Sequence, residues 1–189
     1  MLSRIVLLFM ALNTVFGQGF AVDTKSFKIE WEAYKFTSRA AVKGTFDRYM
    51  AGGFHQAKTI GGLFDGVEIL IDTASVNSGN PVRDNTLGTK FFNLFVGDSI
   101  TAQTSNYKDG EVDLYVNMNG RMAQRRVSVD VSDNKISFEA NFDMMKDFML
   151  GEAWSSIHEA CKLLHTGPDG KSVTGTDVTV RFSADLMKL

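Results

Sequence analysis

The chain has 189 residues, 44% of them hydrophobic and 22% charged, and its 20 Lys and Arg against 22 Asp and Glu give a formal net charge of −2. That balance does not favour nucleic-acid binding, which generally needs a basic face, and the single cysteine, Cys161, excludes an intramolecular disulfide. No Pro-rich or Ser-rich linker and no repeat of fixed period divides the sequence, so one domain is expected over residues 18–189.

Residues 1–17 read as a secretory signal peptide: a basic start at Arg4, an apolar core from Ile5 to Leu12, and a small residue at Gly17. The apolar run is too short to span a bilayer. Cleavage after Ala21 and a buried N-terminal helix are the alternatives. Export places the mature chain in the periplasm or outside the cell, with no integral membrane segment after processing. No cysteine stands at the junction to take a lipid anchor.

Strand-type alternation begins with Phe27, Ile29, Trp31 and Ala33 against Lys28, Glu30 and Glu32. Further strands are expected near 41–50, 66–76 and 98–107. Val112, Leu114, Val116 and Met118 alternate next, and Asn119-Gly120 supplies a hairpin turn. Val127, Val129 and Val131 follow, then a turn at Asp133-Asn134, then Ile136, Phe138, Ala140 and Phe142, which makes an antiparallel meander. Between Met144 and His165 the period becomes helical, and Gly167-Pro168 ends that segment. Val178, Val180, Phe182, Ala184 and Leu186 close the chain as a strand. The sum is about eight strands, each with one apolar face. An eight-stranded closed sheet holds side chains or one small ligand, and on alternation alone a β-sandwich fits as well.

The run Ile71-Asp72-Thr73-Ala74-Ser75-Val76-Asn77-Ser78-Gly79-Asn80, continued by Arg83-Asp84 and Phe91-Phe92, closely resembles the signature of the YceI-like family. Fainter likenesses flank it at Val42-Lys43-Gly44-Thr45-Phe46, Val127-Ser128-Val129-Asp130-Val131 and Phe138-Glu139-Ala140. The likeness covers most of residues 26–150 and, more weakly, the last strand. It implies an eight-stranded antiparallel lipocalin-like barrel, periplasmic, that binds polyisoprenoids or other long-chain lipids. It also implies that residues 153–176, where the family has a short connection, are a helical insertion before the last strand.

The ligand-binding residues expected from inward alternation and loop position are Trp31, Phe46, Phe91, Phe92, Leu114, Phe138, Phe142 and Phe182, with Asn80 and Arg83 at the mouth for a headgroup. Phe95 would help to roof the chain. For Arg83-Asp84 the plainer reading is a turn in which Asp84 caps a helix beginning near Asn85 and Arg83 is solvated. His158, Cys161 and His165 share a helical face and could ligate zinc or copper. Trp154, Ile157 and Leu164 on that face favour packing against the barrel, so no metal is expected. Neither G-x-S-x-G nor His-Glu-x-x-His occurs, and Gly52-Gly53 and Gly61-Gly62 lack the Lys and Ser/Thr of a phosphate loop. The sequence thus predicts a non-enzymatic carrier of an apolar molecule such as an isoprenoid quinone, a polyprenyl phosphate or a fatty amide, with no other cofactor and room for a homodimer. The rival is a ligand-free structural or interaction domain whose side chains fill the interior.

Overall fold

Residues 19–189 are described by a computed structural model, and the signal-peptide reading at 1–17 lies outside them. The chain is all-β with few helices. Ten strands are present among the described residues: β1 (Phe20–Lys35), β2 (Ala40–Phe46), β3 (Tyr49–Gly52), β4 (Glu68–Asp72), β5 (Val76–Asn77), β6 (Ser99–Lys108), β7 (Glu111–Met118), β8 (Arg121–Ser132), β9 (Lys135–Asp143) and β10 (Thr174–Lys188). They form one curled sheet in the order β3-β4-β6-β7-β8-β9-β10-β1-β2-β5. Every pairing is antiparallel.

The count differs from the expected eight because two of the expected strands are each broken once. The stretch near 41–50 breaks at Asp47-Arg48, and the stretch near 66–76 breaks at a single 3-10 turn, Thr73–Ser75. The two breaks lie against each other. The Ser75 carbonyl accepts the Asp47 amide at 2.9 Å, and the Ser75 hydroxyl oxygen accepts the Arg48 amide at 2.9 Å. Asp72 accepts from the Ala74 amide at 2.9 Å and pairs with the Arg48 guanidinium at 2.7 Å. Thr73 donates to the Asp98 carbonyl at 2.8 Å. The Asp-Thr-Ala-Ser segment is therefore a corner whose polar groups take up the backbone amides that a broken ladder would strand.

The hairpin between β7 and β8 follows the expectation from Asn119-Gly120, where both residues have positive φ, 55° and 67°. These are the values that a two-residue type I′ turn demands.

The helical segment departs from a single helix. Asp143 caps α2 (Met144–Phe148) by accepting from the Met145 and Lys146 amides. Met149 then turns left-handed at φ 55°, and the helix restarts as α3 (Gly151–Cys161), followed by a 3-10 turn at Leu163–His165. A left-handed residue stops an α-helix whatever the apolar period does.

The start of α1 (Pro81–Lys90) also corrects the sequence reading. Asn80 is the cap, accepting from the amides of Val82 and Arg83 at 3.1 Å each, with Pro81 in the first helical turn. Asp84 lies inside the helix and accepts instead from the Ser78 amide and hydroxyl. Arg83 is half-buried, donating from Nε to the Ser78 hydroxyl at 2.8 Å and from Nη2 to the Ser78 carbonyl at 3.0 Å. A Gly79 at φ 72° bends the chain so that Ser78 can meet both side chains.

An apolar cavity between the sheet and two helices

The concave face of the sheet is not filled along its whole length. A cavity of about 410 Å³ lies between it and helices α1 and α3. The sheet contributes Ile29, Trp31, Phe46, Ile100, Met118 and Val180, α1 contributes Val82, Arg83, Thr86 and Leu87, and the segment from α3 contributes Trp154, Ile157, Cys161, Leu164 and His165. A much smaller void of about 30 Å³ lies further down the interior, lined by Phe27, Phe54, Leu63, Phe64, Phe138 and Phe182 among others.

Trp31, Phe46, Asn80, Arg83, Phe91, Phe92, Phe142 and Phe182 all line the larger cavity. Leu114 and Phe138 do not. Leu114 is fully buried in packed core, and Phe138 lines the smaller void, where its ring stacks on Phe182 with centroids 4.7 Å apart. The reason is depth along each strand. In β7 the inward residues Val116 and Met118 reach the large cavity while Leu114 sits below them. In β9 Phe142 reaches it and Phe138, four residues away, does not. At about 3.4 Å per residue, those four residues displace a side chain by roughly 14 Å.

Trp31 is fixed in the wall by its indole N–H, which donates to the Thr45 carbonyl at 3.1 Å. It lies over Gly44, where a Cβ would stand 2.3 Å from Trp31 Cζ2 and 2.6 Å from the Asn77 carbonyl oxygen. Glycine at 44 is thus what permits the indole to lie flat against the sheet. Phe91 and Phe92 follow α1 and pack edge-on, with Phe95 completing the cluster at 5.0 and 5.3 Å. Such edge-to-face pairs are favoured by the ring quadrupoles.

Polar groups interrupt the apolar wall, those at Arg83 and Thr174 among them. At the start of α1, Arg83 commits Nε and Nη2 to Ser78, leaving Nη1 without a protein acceptor among the described residues. On the far side, the Thr174 hydroxyl lies 3.0 Å from His158 Nδ1 and 2.7 Å from His165 Nδ1. One hydroxyl donates once and accepts twice, so at least one of the two imidazoles donates its Nδ1–H to Thr174. The ring of His158 stacks on Trp154 with centroids 5.0 Å apart, and the Trp154 indole donates to the Thr174 carbonyl at 3.3 Å.

Burial pushes the His165 pKa down, with the positive charge of Lys35 and then His158 adding to it. Burial also pushes the Cys161 thiol up, away from thiolate, against a smaller opposing effect of Lys35. The Arg39 guanidinium beside Asp177 holds that carboxyl below its ordinary value. Among the described residues no three His, Cys, Asp or Glu side chains are grouped to hold a metal ion.

Lining residues absent from the sequence-based set come mainly from the strands, Ile29, Ile100, Val116, Met118 and Val180 among them, and from the segment after residue 153, with Val82, Thr86 and Leu87 from α1. A signal existed for Leu87, which stands four residues from both Arg83 and Phe91 and so shares their helical face. Trp154 and Ile157 face the sheet across the cavity, but Leu164, expected to pack with them, stands 72% exposed because the helix ends at Cys161 and the chain turns away.

A curled antiparallel sheet whose concave face holds an apolar cavity under two helices defines the architecture as an all-β half-barrel. The sequence profile of the YceI-like domain matches residues 20–186, and the chain belongs to the YceI-like family. Among solved structures, it is similar to a polyisoprenoid-binding domain from Saccharophagus degradans (TM-score 0.60, 16% identity, 90% of this chain and 98% of that one). It is also similar to BcnA from Burkholderia cenocepacia (TM-score 0.57, 13% identity, 88% and 99%). A YCEI protein from Campylobacter jejuni aligns with TM-score 0.54 and 18% identity over 82% and 89%. No match was found among curated proteins. At these identities the solved structures speak for the fold.

Proposed function

We propose that the chain binds one long apolar molecule, a polyisoprenoid or a comparable long-chain lipid, in the large cavity, and carries or sequesters it without chemical change. The observation that carries this reading is the cavity itself, about 410 Å³, within the roughly 300–1,000 Å³ of ordinary small-molecule sites. A solid core would leave no such space. The cavity opens to solvent, so without a ligand its apolar wall stands against water at about 25 cal/mol per Å². A hydrocarbon in that space offsets that cost, at about 0.8 kcal/mol per buried CH₂ before association costs.

Trp31, Phe46, Phe91, Phe92, Phe142 and Phe182 would hold the chain, and Asn80 and Arg83 would lie near its polar end. Counting each broken strand once restores eight, which supports reading the curled sheet as a lipocalin-like barrel. The pattern of residues 1–17 supports export to the periplasm or beyond. No helix of the described residues is long and apolar enough to cross a membrane.

The test is native mass spectrometry of protein purified without detergent, followed by organic extraction. A lipid adduct at one per chain is expected. Ligand-free protein that also fails to take up added prenols would sink the reading.

A further inference from the structure

The rim of the cavity carries apolar side chains where a water-soluble protein ordinarily has polar ones. Leu163 is 90% exposed and Leu164 72%, side by side in the 3-10 turn after α3. Val82 is 78% exposed in the first turn of α1. Leu164 and Val82 both line the large cavity, so its opening runs between them. The exposed apolar surface and the opening are one continuous feature.

The backbone that presents the leucines is closed on itself. The Lys162 carbonyl accepts from the His165 amide at 3.3 Å, the Thr166 hydroxyl at 2.7 Å and the Ser172 hydroxyl at 3.0 Å. The Leu163 carbonyl accepts from the Thr166 amide and the His165 carbonyl from the Val173 amide. The carbonyls of Lys162, Leu163 and His165 are thus paired within the chain and are not stranded where the turn meets a headgroup layer. The charged side chains that line the same cavity are Lys35, Arg83 and Asp177. Asp177 is ion-paired with Arg39, which leaves Lys35 and Arg83 as the lining charges without a carboxylate partner among the described residues. Lys162, next to Leu163, is paired with Glu159 at 3.4 Å and adds no net charge. Apolar side chains at the tip with basic groups behind them suit the interface of a bilayer whose headgroups are anionic.

We propose that the rim formed by Val82, Leu163 and Leu164 inserts into the surface of a lipid bilayer, seating the cavity opening on the membrane. A long apolar molecule then passes between bilayer and cavity without crossing water. This rests on the carrier reading for its purpose but not for its test.

The experiment compares the wild-type chain with Leu163→Glu/Leu164→Glu and, separately, Val82→Glu and Leu163→Glu. Val82 is in the first turn of α1, where an added carboxylate is favourable to the helix, so the Val82→Glu variant keeps the fold. Two quantities are read for each protein: flotation with vesicles of phosphatidylcholine and phosphatidylglycerol, and binding of dansyl-aminoundecanoic acid in vesicle-free buffer. The expected result is at least a tenfold loss of flotation in Leu163→Glu/Leu164→Glu, in Val82→Glu and in Leu163→Glu, the last a change at a side chain that does not line the cavity and whose probe affinity stays within twofold of wild type. Flotation unchanged in any variant, or absent in the wild type, overturns the proposal. So does a wild-type dimer in sedimentation velocity that becomes monomeric in a leucine variant, because the rim would then be a contact between copies. Normal flotation with no probe binding by any of the proteins would keep the docking surface and reject the carrier reading.

Discussion

Phe182 stacks on Phe138 with ring centroids 4.7 Å apart and a 24° tilt, and Phe182 alone of the two faces both the large cavity and the small void below it. The stacked pair is a floor. It sets how far an apolar chain can descend.

Phe182→Ala is expected to join the two spaces. Large-to-small changes of buried Phe cost about 3–5 kcal/mol, so the ligand-free thermal midpoint falls. Affinity for longer saturated chains should nevertheless rise relative to shorter ones. Fluorescence displacement with a chain-length series checks this, and an unshifted length preference would show that Phe182 is not the floor.

The volume also limits the wild type. The cavity of about 410 Å³ is finite and ends at the stacked pair of Phe138 and Phe182. Affinity across linear prenols should therefore climb with each added unit and level off once the chain reaches that floor. A steady climb to eight units would mean that the cavity opens further than its walls suggest.

Gly44→Ala should lower both stability and probe binding, since the new Cβ would stand 2.3 Å from Trp31 Cζ2. Overpacking of this kind costs about 1–3 kcal/mol. Trp31 is one of two tryptophans, so the displacement is visible in emission once Trp154→Phe removes the other. An unchanged Trp31 spectrum would refute the contact.

Ser78→Ala removes the group that joins Arg83 and Asp84. Arg83 Nε then loses its acceptor and Asp84 keeps only the Ser78 amide, at a cost of about 1–3 kcal/mol. Asn80→Ala removes only a cap and costs about 1 kcal/mol. Urea unfolding of both variants checks the order, and a smaller loss for Ser78→Ala would reverse the argument.

His165 has its pKa pushed down by burial, with Lys35 and His158 close to it. A histidine whose folded pKa lies below the unfolded value near 6.5 is held neutral by the fold. Its contribution is complete above that value and is lost as pH falls below it toward the folded pKa. Thermal midpoints should decline from pH 7.5 to 5.5, and the decline should be shallower in His165→Gln. Parallel curves for the two proteins would assign the decline to other groups.

Parity was legible in the sequence and depth was not. Val112, Leu114, Val116 and Met118 all point inward, as their alternation says, because a strand has a period of two whatever its surroundings. Which of them meets open space depends on where the helices sit, and that is set by contacts between distant segments. Leu114 and Phe138 were therefore assigned to the right face at the wrong level. The strand breaks at Asp47-Arg48 and Thr73–Ser75 were hidden for a different reason. Asp, Thr and Ser are read locally as turn or cap residues, while their role in the corner depends on partners 24 to 27 residues away. Asn80 was assigned to a ligand headgroup and Asp84 to capping, yet Asn80 is the cap, because Pro81 sets the helix start four residues earlier than expected.

The long ladder between β1 and β10, from Phe20↔Lys188 to Lys35↔Thr174, has a consequence for when the molecule can fold. During synthesis the first strand emerges long before its principal partner, so the sheet stays open until nearly the last residue is available. Pairings so remote in sequence are slow to form. Under the export proposed from residues 1–17, delayed closure would keep the chain threadable through a translocation pore. Ribosome-bound chains arrested before residue 174 should accordingly be cut rapidly by protease, and chains extended past Leu189 by a linker long enough to clear the exit tunnel should resist. Equal resistance at both lengths would show that folding does not wait for β10.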